Sequence, residues 1–185
     1  PPFYLIRRPP RTTLFPTTTL FRSPRAQADA LAALIAGQGG RAVVFPVLEI
    51  GPADDPAPLD RAIASLDSYA LAIFISPNAV EFSVPVILSR RSWPTGLQAA
   101  AVGQSSVATL AGYGIHGAMA PSERFDSEAL LELPEFQEDR VRGRRVLILR
   151  GNGGRELLAD TLRARGAEVD HVTCYHRSPP VGGAG

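Results

Sequence analysis

The sequence predicts an α/β protein in which a flavodoxin-like, doubly wound parallel sheet forms one complete domain, inserted in a second, incomplete α/β domain. Three observations predict it. The apolar runs Leu71-Ala72-Ile73-Phe74-Ile75 and Val146-Leu147-Ile148-Leu149 have the style of parallel strands covered on both faces. Helical patterns alternate with such runs, which calls for right-handed βαβ units. The series is complete from Pro58 to Val172, with five strands and five helices, whereas residues 24–50 hold one helix and one strand, too little to bury a core.

Each element follows from its local pattern. Residues 1–23 show no helical or strand period across Pro1, Pro2, Pro9, Pro10 and Pro16, and are expected to be a disordered leader. The leader is basic and acid-free, which suggests a targeting segment or a nucleic-acid arm. It lacks the amphipathic stripe of the first and the dense charge of the second. Its repeated Thr-Thr-Leu-Phe unit resembles a translated sequencing adapter, so it is expected to be foreign to the natural protein. Ala26 to Ile35 is a helix, stopped by Gly37, Gly39 and Gly40. Ala42 to Ile50 is a buried strand with an extended exit, and residues 51–57 are a Pro- and Asp-rich linker.

The second series, residues 58–170, opens with a short helix marked by Leu59, Ile63 and Leu66, followed by the strand Leu71–Ser76. A helix over Ala79–Ser89 should kink at Pro85. Gln98–Val102 is a strand, Ser105–Ala111 a helix, Ile115–Ala120 a strand and Asp126–Leu131 a helix. Val146–Leu149, a helix over Gly154–Arg165 and a strand over Glu168–Tyr175, alternating through Val169, His171 and Thr173, complete it. Residues 171–185 form a crossover strand and a linker back toward the first domain.

Composition narrows the function. No apolar run approaches the ~20 residues that span a bilayer, so no membrane role is expected. The single Cys174 supplies neither a disulfide nor a metal cluster, and His171 with His176 is too little for zinc. The formal charge of +1 hides two unlike pieces: Arg7, Arg8, Arg11, Arg22 and Arg25 meet no acid, while the rest carries 14 Arg against 18 acids, or −4. That sign argues against nucleic acid as partner. His116 is expected to be structural, and Glu132, Glu135, Glu138 and Asp139 to form a solvated face.

In open α/β sheets, ligands sit beyond the carboxyl ends of the strands. There lie Ser76-Pro77-Asn78-Ala79-Val80, then Gly103-Gln104-Ser105-Ser106, then Arg150-Gly151-Asn152-Gly153-Gly154-Arg155, and finally Cys174-Tyr175-His176-Arg177. The first three lead into helix N-termini, whose N–H groups and dipole favour anions, although each taken alone is also an ordinary cap or turn. The glycine loop is not a Walker loop, because it lacks the Gly-Lys-Ser/Thr ending and the chain contains no Lys. Nor is it the dinucleotide fingerprint, since it follows the fourth strand without the required spacing.

These residues in this order resemble the uroporphyrinogen-III synthase family. The resemblance is carried by Val44-Phe45-Pro46-Val47-Leu48-Glu49-Ile50, Ile75-Ser76-Pro77-Asn78-Ala79-Val80, Ala101-Val102-Gly103 and Phe125-Asp126-Ser127-Glu128-Ala129-Leu130. It is strongest over Arg145–Gly151, Gly153–Leu158 and Leu162–Ala167, and ends at Val172–Arg177. It implies two flavodoxin-like domains and a cofactor-free, cytoplasmic, monomeric lyase. That enzyme closes hydroxymethylbilane into uroporphyrinogen III while inverting the last ring. Tyr175 then matches the family's functional tyrosine, as proton donor or hydrogen-bond partner. Ser76, Asn78, Gly103, Ser105, Ser106, Gly151, Asn152, Gly153 and Gly154 would bind substrate, Ser106 standing where many relatives have Thr.

By the same resemblance the family's first strand would stand where residues 1–23 are, and further threonine-bearing loops would follow Pro180. The chain as given is therefore expected to be inactive and to expose Val43–Ile50. A fused methyltransferase is compatible with the family. The alternative reading is a non-catalytic, two-lobed anion-binding module of periplasmic or regulatory type.

Overall fold

The computed structural model describes residues 18–21, 32–44, 48–154 and 156–179. The chain forms two compact units, Pro1–Glu49 with Ser178–Gly185, and Ile50–Arg177.

In the first unit β1 (Thr18–Phe21) pairs in parallel with β2 (Arg41–Val44), Leu20 opposite Val43. No strand is expected in this stretch from the proline pattern. Pro16 stops short of β1, and Thr-Thr-Leu-Phe combines β-branched and aromatic residues that suit a pleated surface. Between the strands α1 spans residues 32–37 and takes in Gly37, which is expected in the stop. Gly39 ends it in the left-handed region at φ 77°, and the Gly40 N–H donates to the Ile35 carbonyl at 2.9 Å. Residues 45–47 lie outside the described residues, so the strand expected over Ala42–Ile50 is represented by its ends, β2 and β3 (Glu49–Pro52). The expected exposure of Val43–Ile50 falls largely on side chains outside that set; Ile50 itself is half-buried against the core of the second unit.

The second unit holds β4 (Leu71–Phe74), β5 (Gln98–Ala101), β6 (Arg145–Gly151) and β7 (Glu168–Ser178), in the sheet order β3-β7-β6-β4-β5. β4 is parallel to β5 and β6, and β6 to β7. β3 runs the other way. The Ala53 N–H donates to the Cys174 carbonyl at 3.2 Å while Gly51 lies against His176, so one chain advances as its partner recedes. The sheet is therefore mixed, with parallel pairs in the majority. Gly51 and Pro52, expected in a linker, belong to this edge strand, where a proline is tolerated. The strand expected over Ile115–Ala120 reduces to one bridge, Ala100 with Met119, because Gly117 at φ 73° turns the backbone out of the extended region.

Alternation along the strands feeds two cores. Ala72, Phe74, Leu147 and Leu149 pack with α2 (Ala57–Ala64), α3 (Pro77–Arg90) and α4 (Gln104–Gly112) on one face. Leu71, Ile73, Val146 and Ile148 pack on the other with α5 (Ser127–Glu132), α6 (Glu138–Val141) and α7 (Leu157–Ala164). This is why the strand runs are continuously apolar. The kink expected at Pro85 does not end the helix: α3 continues to Arg90. Pro85 and Glu81 are both exposed, so the carbonyl that loses its N–H partner faces water. Glu132, Glu135, Glu138 and Asp139 are exposed, as is His116.

The amino edge of the sheet is closed by a polar clasp. The Tyr69 hydroxyl donates to Asp170 Oδ2 at 2.6 Å, and Arg145 Nη2 pairs with the same oxygen at 2.6 Å while its guanidinium lies 4.4 Å from the Tyr69 ring centre. The Tyr69 hydrogen bond, and then Arg145, hold the Asp170 carboxyl below its usual range. The folded value is depressed, so this contribution is complete above the ordinary carboxylate value of about 4 and lost as pH falls through the folded value. Asp170→Asn is expected to lower stability at pH 7 by about 1 kcal/mol, the net scale for a half-exposed charged hydrogen bond. It should also flatten the acid side of the stability profile, measured by urea denaturation from pH 7 downward. An unchanged acid limb would remove Asp170 from the account.

Candidate active site

The chain leaves β4 for β5 on one side and returns to β6 on the other, so a crevice opens beyond the carboxyl ends of β4 and β6. Phe74 is in register with both Ala101 and Leu149, so the loops after β4, β5 and β6 emerge side by side.

Ser76 follows β4 and caps α3, its Oγ accepting the Ala79 N–H at 3.2 Å. From β7, Tyr175 reaches the same hydroxyl, with 2.9 Å between the two oxygens. Tyr175 is 1% exposed and stacks on Phe82 with ring centres 6.0 Å apart. Its ring lies over Gly151, where a Cβ would come within 2.6 Å of Cε2 and Cζ. A bulge places it there: pairing steps from Arg150–Thr173 to Gly151–Tyr175, passing over Cys174. Simple alternation puts Tyr175 on the face of His171 and Thr173. The bulge instead adds it to the core that holds Val172 and Cys174.

Asn152 follows Gly151 and bonds the backbone of β7 through its side chain. Its Oδ1 accepts the Arg177 N–H at 2.7 Å, and its Nδ2 donates to the Arg177 carbonyl at 3.3 Å. Gly153 and Gly154 then adopt φ of 72° and 125°, values that side-chain-bearing residues rarely take. This delays α7 to Leu157, later than the expected start at Gly154.

Between these loops and α7 lies a cavity of about 220 Å³, with Ile75, Ile148 and Leu158 among its apolar lining and Ser127, Arg150, His171 and Arg177 among its polar lining. Arg150 pairs with Glu156 at 2.7 Å, and Glu156 lies 3.6 Å from His171 Nδ1. Burial, and then the Arg150 charge, push the His171 imidazole below its usual value, while the Arg150 hydrogen bond lowers the Glu156 carboxyl. Glu156 offsets the Arg150 charge, so Arg177 leaves one net positive charge beside an imidazole whose charged form is disfavoured, and this suits an anionic ligand. Arg150 Nε and His171 Nε2 are buried without a hydrogen-bond partner among the described residues. Among those residues no group of three or more His, Cys, Asp or Glu is placed to hold a metal. Burial raises the Cys174 thiol to about 12, so it is no nucleophile.

Ser76, Gly151, Asn152, Gly153, Gly154 and Tyr175 are thus brought together, all but Ser76 lining the cavity. Asn78, Gly103, Ser105 and Ser106 do not line it. Asn78 is half-buried in the first turn of α3. Gly103 caps α4, where a Cβ would sit 3.7 Å from Phe125 Cβ, an ordinary contact. Ser106 is 1% exposed, whereas its neighbour Ser105 is an exposed residue.

The family model for uroporphyrinogen-III synthase HemD matches residues 29–184. The chain belongs to this family. It is 38% identical over 162 residues to the uroporphyrinogen-III synthase of Salmonella typhimurium, covering 85% of this chain and 64% of that protein. With the Proteus mirabilis uroporphyrinogen-III synthase it shares 34% over 159 residues, covering 85% of the chain and 79% of the relative. Among solved structures a uroporphyrinogen III synthase from Thermus thermophilus superposes with a TM-score of 0.65 at 15% identity, covering 88% of this chain and 63% of that one. The chain therefore spans about two thirds of the Salmonella relative's length, and the Thermus likeness speaks to the fold.

The sequence placed Arg150 and Arg177 in the strand-end loops without assigning either a contact, and it did not single out His171, Phe82 or Phe125 as parts of the site. Arg177 was within reach: two residues past Tyr175 on a strand, it shares that tyrosine's face, and its Nη2 donates to the Tyr175 hydroxyl at 3.0 Å. Phe82 carries no motif and packs on Tyr175, while Phe125, the first residue of a stretch that carries the resemblance, stands 55% exposed beside Gly103.

Proposed function

We propose that this chain supplies the tyrosine-bearing half of a uroporphyrinogen-III synthase site, which closes hydroxymethylbilane into uroporphyrinogen III with inversion of the last ring. One observation carries the reading. The tyrosine matched to the family's functional tyrosine lies on the strand edge, hydrogen-bonded to Ser76 and packed on Gly151, beside a cationic cavity. The substrate bears an acetate and a propionate on every pyrrole. Arg150, Arg177 and the N–H groups of the Gly151–Gly154 loop, all in the cavity lining, suit those carboxylates.

Ring closure needs the terminal hydroxyl to leave. The C–O bond breaks with its electron pair going to oxygen, and a proton completes water. We assign that proton to the Tyr175–Ser76 pair. The azafulvene cation left behind is attacked by the substituted carbon of the last ring, and the spiro intermediate fragments and recloses with that ring turned over. The proton released when the new ring carbon regains aromaticity returns to the pair, so no net proton is consumed. The remaining task is to hold both ends of the chain near each other. In finer terms the second unit is read as a flavodoxin-like variant, extended at one edge by the antiparallel β3.

The binding-module alternative finds no support in the family match. The product isomer tests the reading: isomer III from a protein carrying this segment supports synthase activity, and the spontaneous isomer I alone opposes it. No helix among the described residues is long and apolar enough to cross a membrane.

A further inference from the structure

We propose that Arg177, whose backbone is clamped by the side chain of Asn152, is a positioning residue that holds the Tyr175 hydroxyl in place beside Ser76 at the cavity that Tyr175 and Arg177 line. This rests on the reading of the strand edge as the synthase site.

The hydrogen-bond inventory defines the contact. A guanidinium has only donors, so at 3.0 Å from Arg177 Nη2 the Tyr175 oxygen accepts. Ser76 Oγ lies 2.9 Å from the same oxygen, and either hydroxyl of this pair can donate to the other. Ser76 Oγ also accepts the Ala79 N–H at 3.2 Å, which ties the pair to the start of α3. Tyr175 and Arg177 line the cavity and Ser76 does not, so the hydroxyl that Arg177 holds is the one beside the ligand space.

Arg177 is a long, exposed side chain, and something must hold it. Asn152 supplies the hold. Its amide accepts from the Arg177 N–H and donates to the Arg177 carbonyl, while the Asn152 N–H donates to the Tyr175 carbonyl at 3.0 Å. Asn152 therefore continues the ladder past the bulge and freezes the backbone that carries both side chains. The guanidinium lies 5.6 Å from the Tyr175 ring centre, on the face the two residues share. In the reaction, the Tyr175–Ser76 pair gives a proton to the departing hydroxyl as the C–O bond breaks. The proton released on aromatisation returns to the pair.

The test uses the full 185-residue chain with 13Cζ-labelled tyrosine. The Tyr175 resonance is the one lost in Tyr175→Phe. Arg177→Ala and Asn152→Ala are expected to shift it while the Tyr69 and Tyr113 resonances stay. Arg177→Lys, which keeps a donor, should hold it near the wild-type position. A Tyr175 resonance unmoved in a folded Arg177→Ala chain would overturn the proposal. A second arm grafts residues 50–177 into the Salmonella typhimurium relative in place of its matching segment. There Arg177→Ala should lower kcat about tenfold with KM nearly constant, and should cost nothing further in a Tyr175→Phe background. Equal losses in both backgrounds would show that Arg177 does not act through Tyr175, and would also overturn it. Full turnover by Tyr175→Phe alone would defeat the synthase-site reading, while the resonance shift would still decide the contact.

Discussion

Gly151→Ala is expected to destabilise the protein by about 1–3 kcal/mol, the range for forcing a methyl into a packed site. The added Cβ would meet Cε2 and Cζ of Tyr175 at 2.6 Å and its hydroxyl oxygen at 3.0 Å. These atoms belong to a rigid ring that is 1% exposed and stacked on Phe82, so the ring cannot swing aside as a flexible side chain would. It must tilt away from β6, and that movement pulls the hydroxyl from Ser76 and Arg177. Stability and turnover should therefore fall together. Gly103→Ala is the internal control, because its Cβ would make only an ordinary 3.7 Å contact and φ there is −145°. Urea denaturation of both variants measures the difference. A midpoint for Gly151→Ala equal to that of Gly103→Ala would contradict the close approach.

Tyr175→Phe is expected to reduce kcat by more than about tenfold, at the lower end of what positioned proton transfer contributes, with a smaller change in KM. The phenyl ring keeps the stacking on Phe82 and the packing over Gly151, so the fold should survive. Only the oxygen is lost. Ser76 still accepts from Ala79, and Arg177, already exposed, can turn its donor to water, so the stability loss stays near 1 kcal/mol. Loss of chemistry without loss of structure separates this variant from Gly151→Ala. Kinetics on the grafted enzyme measure it, and unchanged turnover would remove Tyr175 from the mechanism.

The sheet was legible wherever burial on both faces forced a continuous apolar run. Leu71–Phe74 and Val146–Leu149 announce β4 and β6 because alternate residues enter different cores. Legibility failed where a local rule was overruled by its surroundings. Pro85 could remain in α3 because the carbonyl it orphans faces water. Ile115–Ala120 has strand composition, yet Gly117 leaves its backbone only one bridge. At the site, the small polar loops were visible as helix caps, and Tyr175 through its resemblance. The bulge at Cys174 was not, since an extra residue in a strand has no compositional mark, and without it Tyr175 falls on the wrong face. For the same reason Asn152 is marked as a substrate contact in the sequence, although its side chain bonds the Arg177 backbone. Whether an amide faces ligand or chain depends on the strand beside it.

The most direct measurement is the isomer composition of the uroporphyrinogen formed from hydroxymethylbilane by the Salmonella typhimurium enzyme carrying residues 50–177 of this chain. The account predicts isomer III as the main product, with the III fraction falling toward the spontaneous isomer I in Tyr175→Phe. Isomer I alone from the folded graft, or isomer III undiminished in the Tyr175→Phe graft, would contradict it.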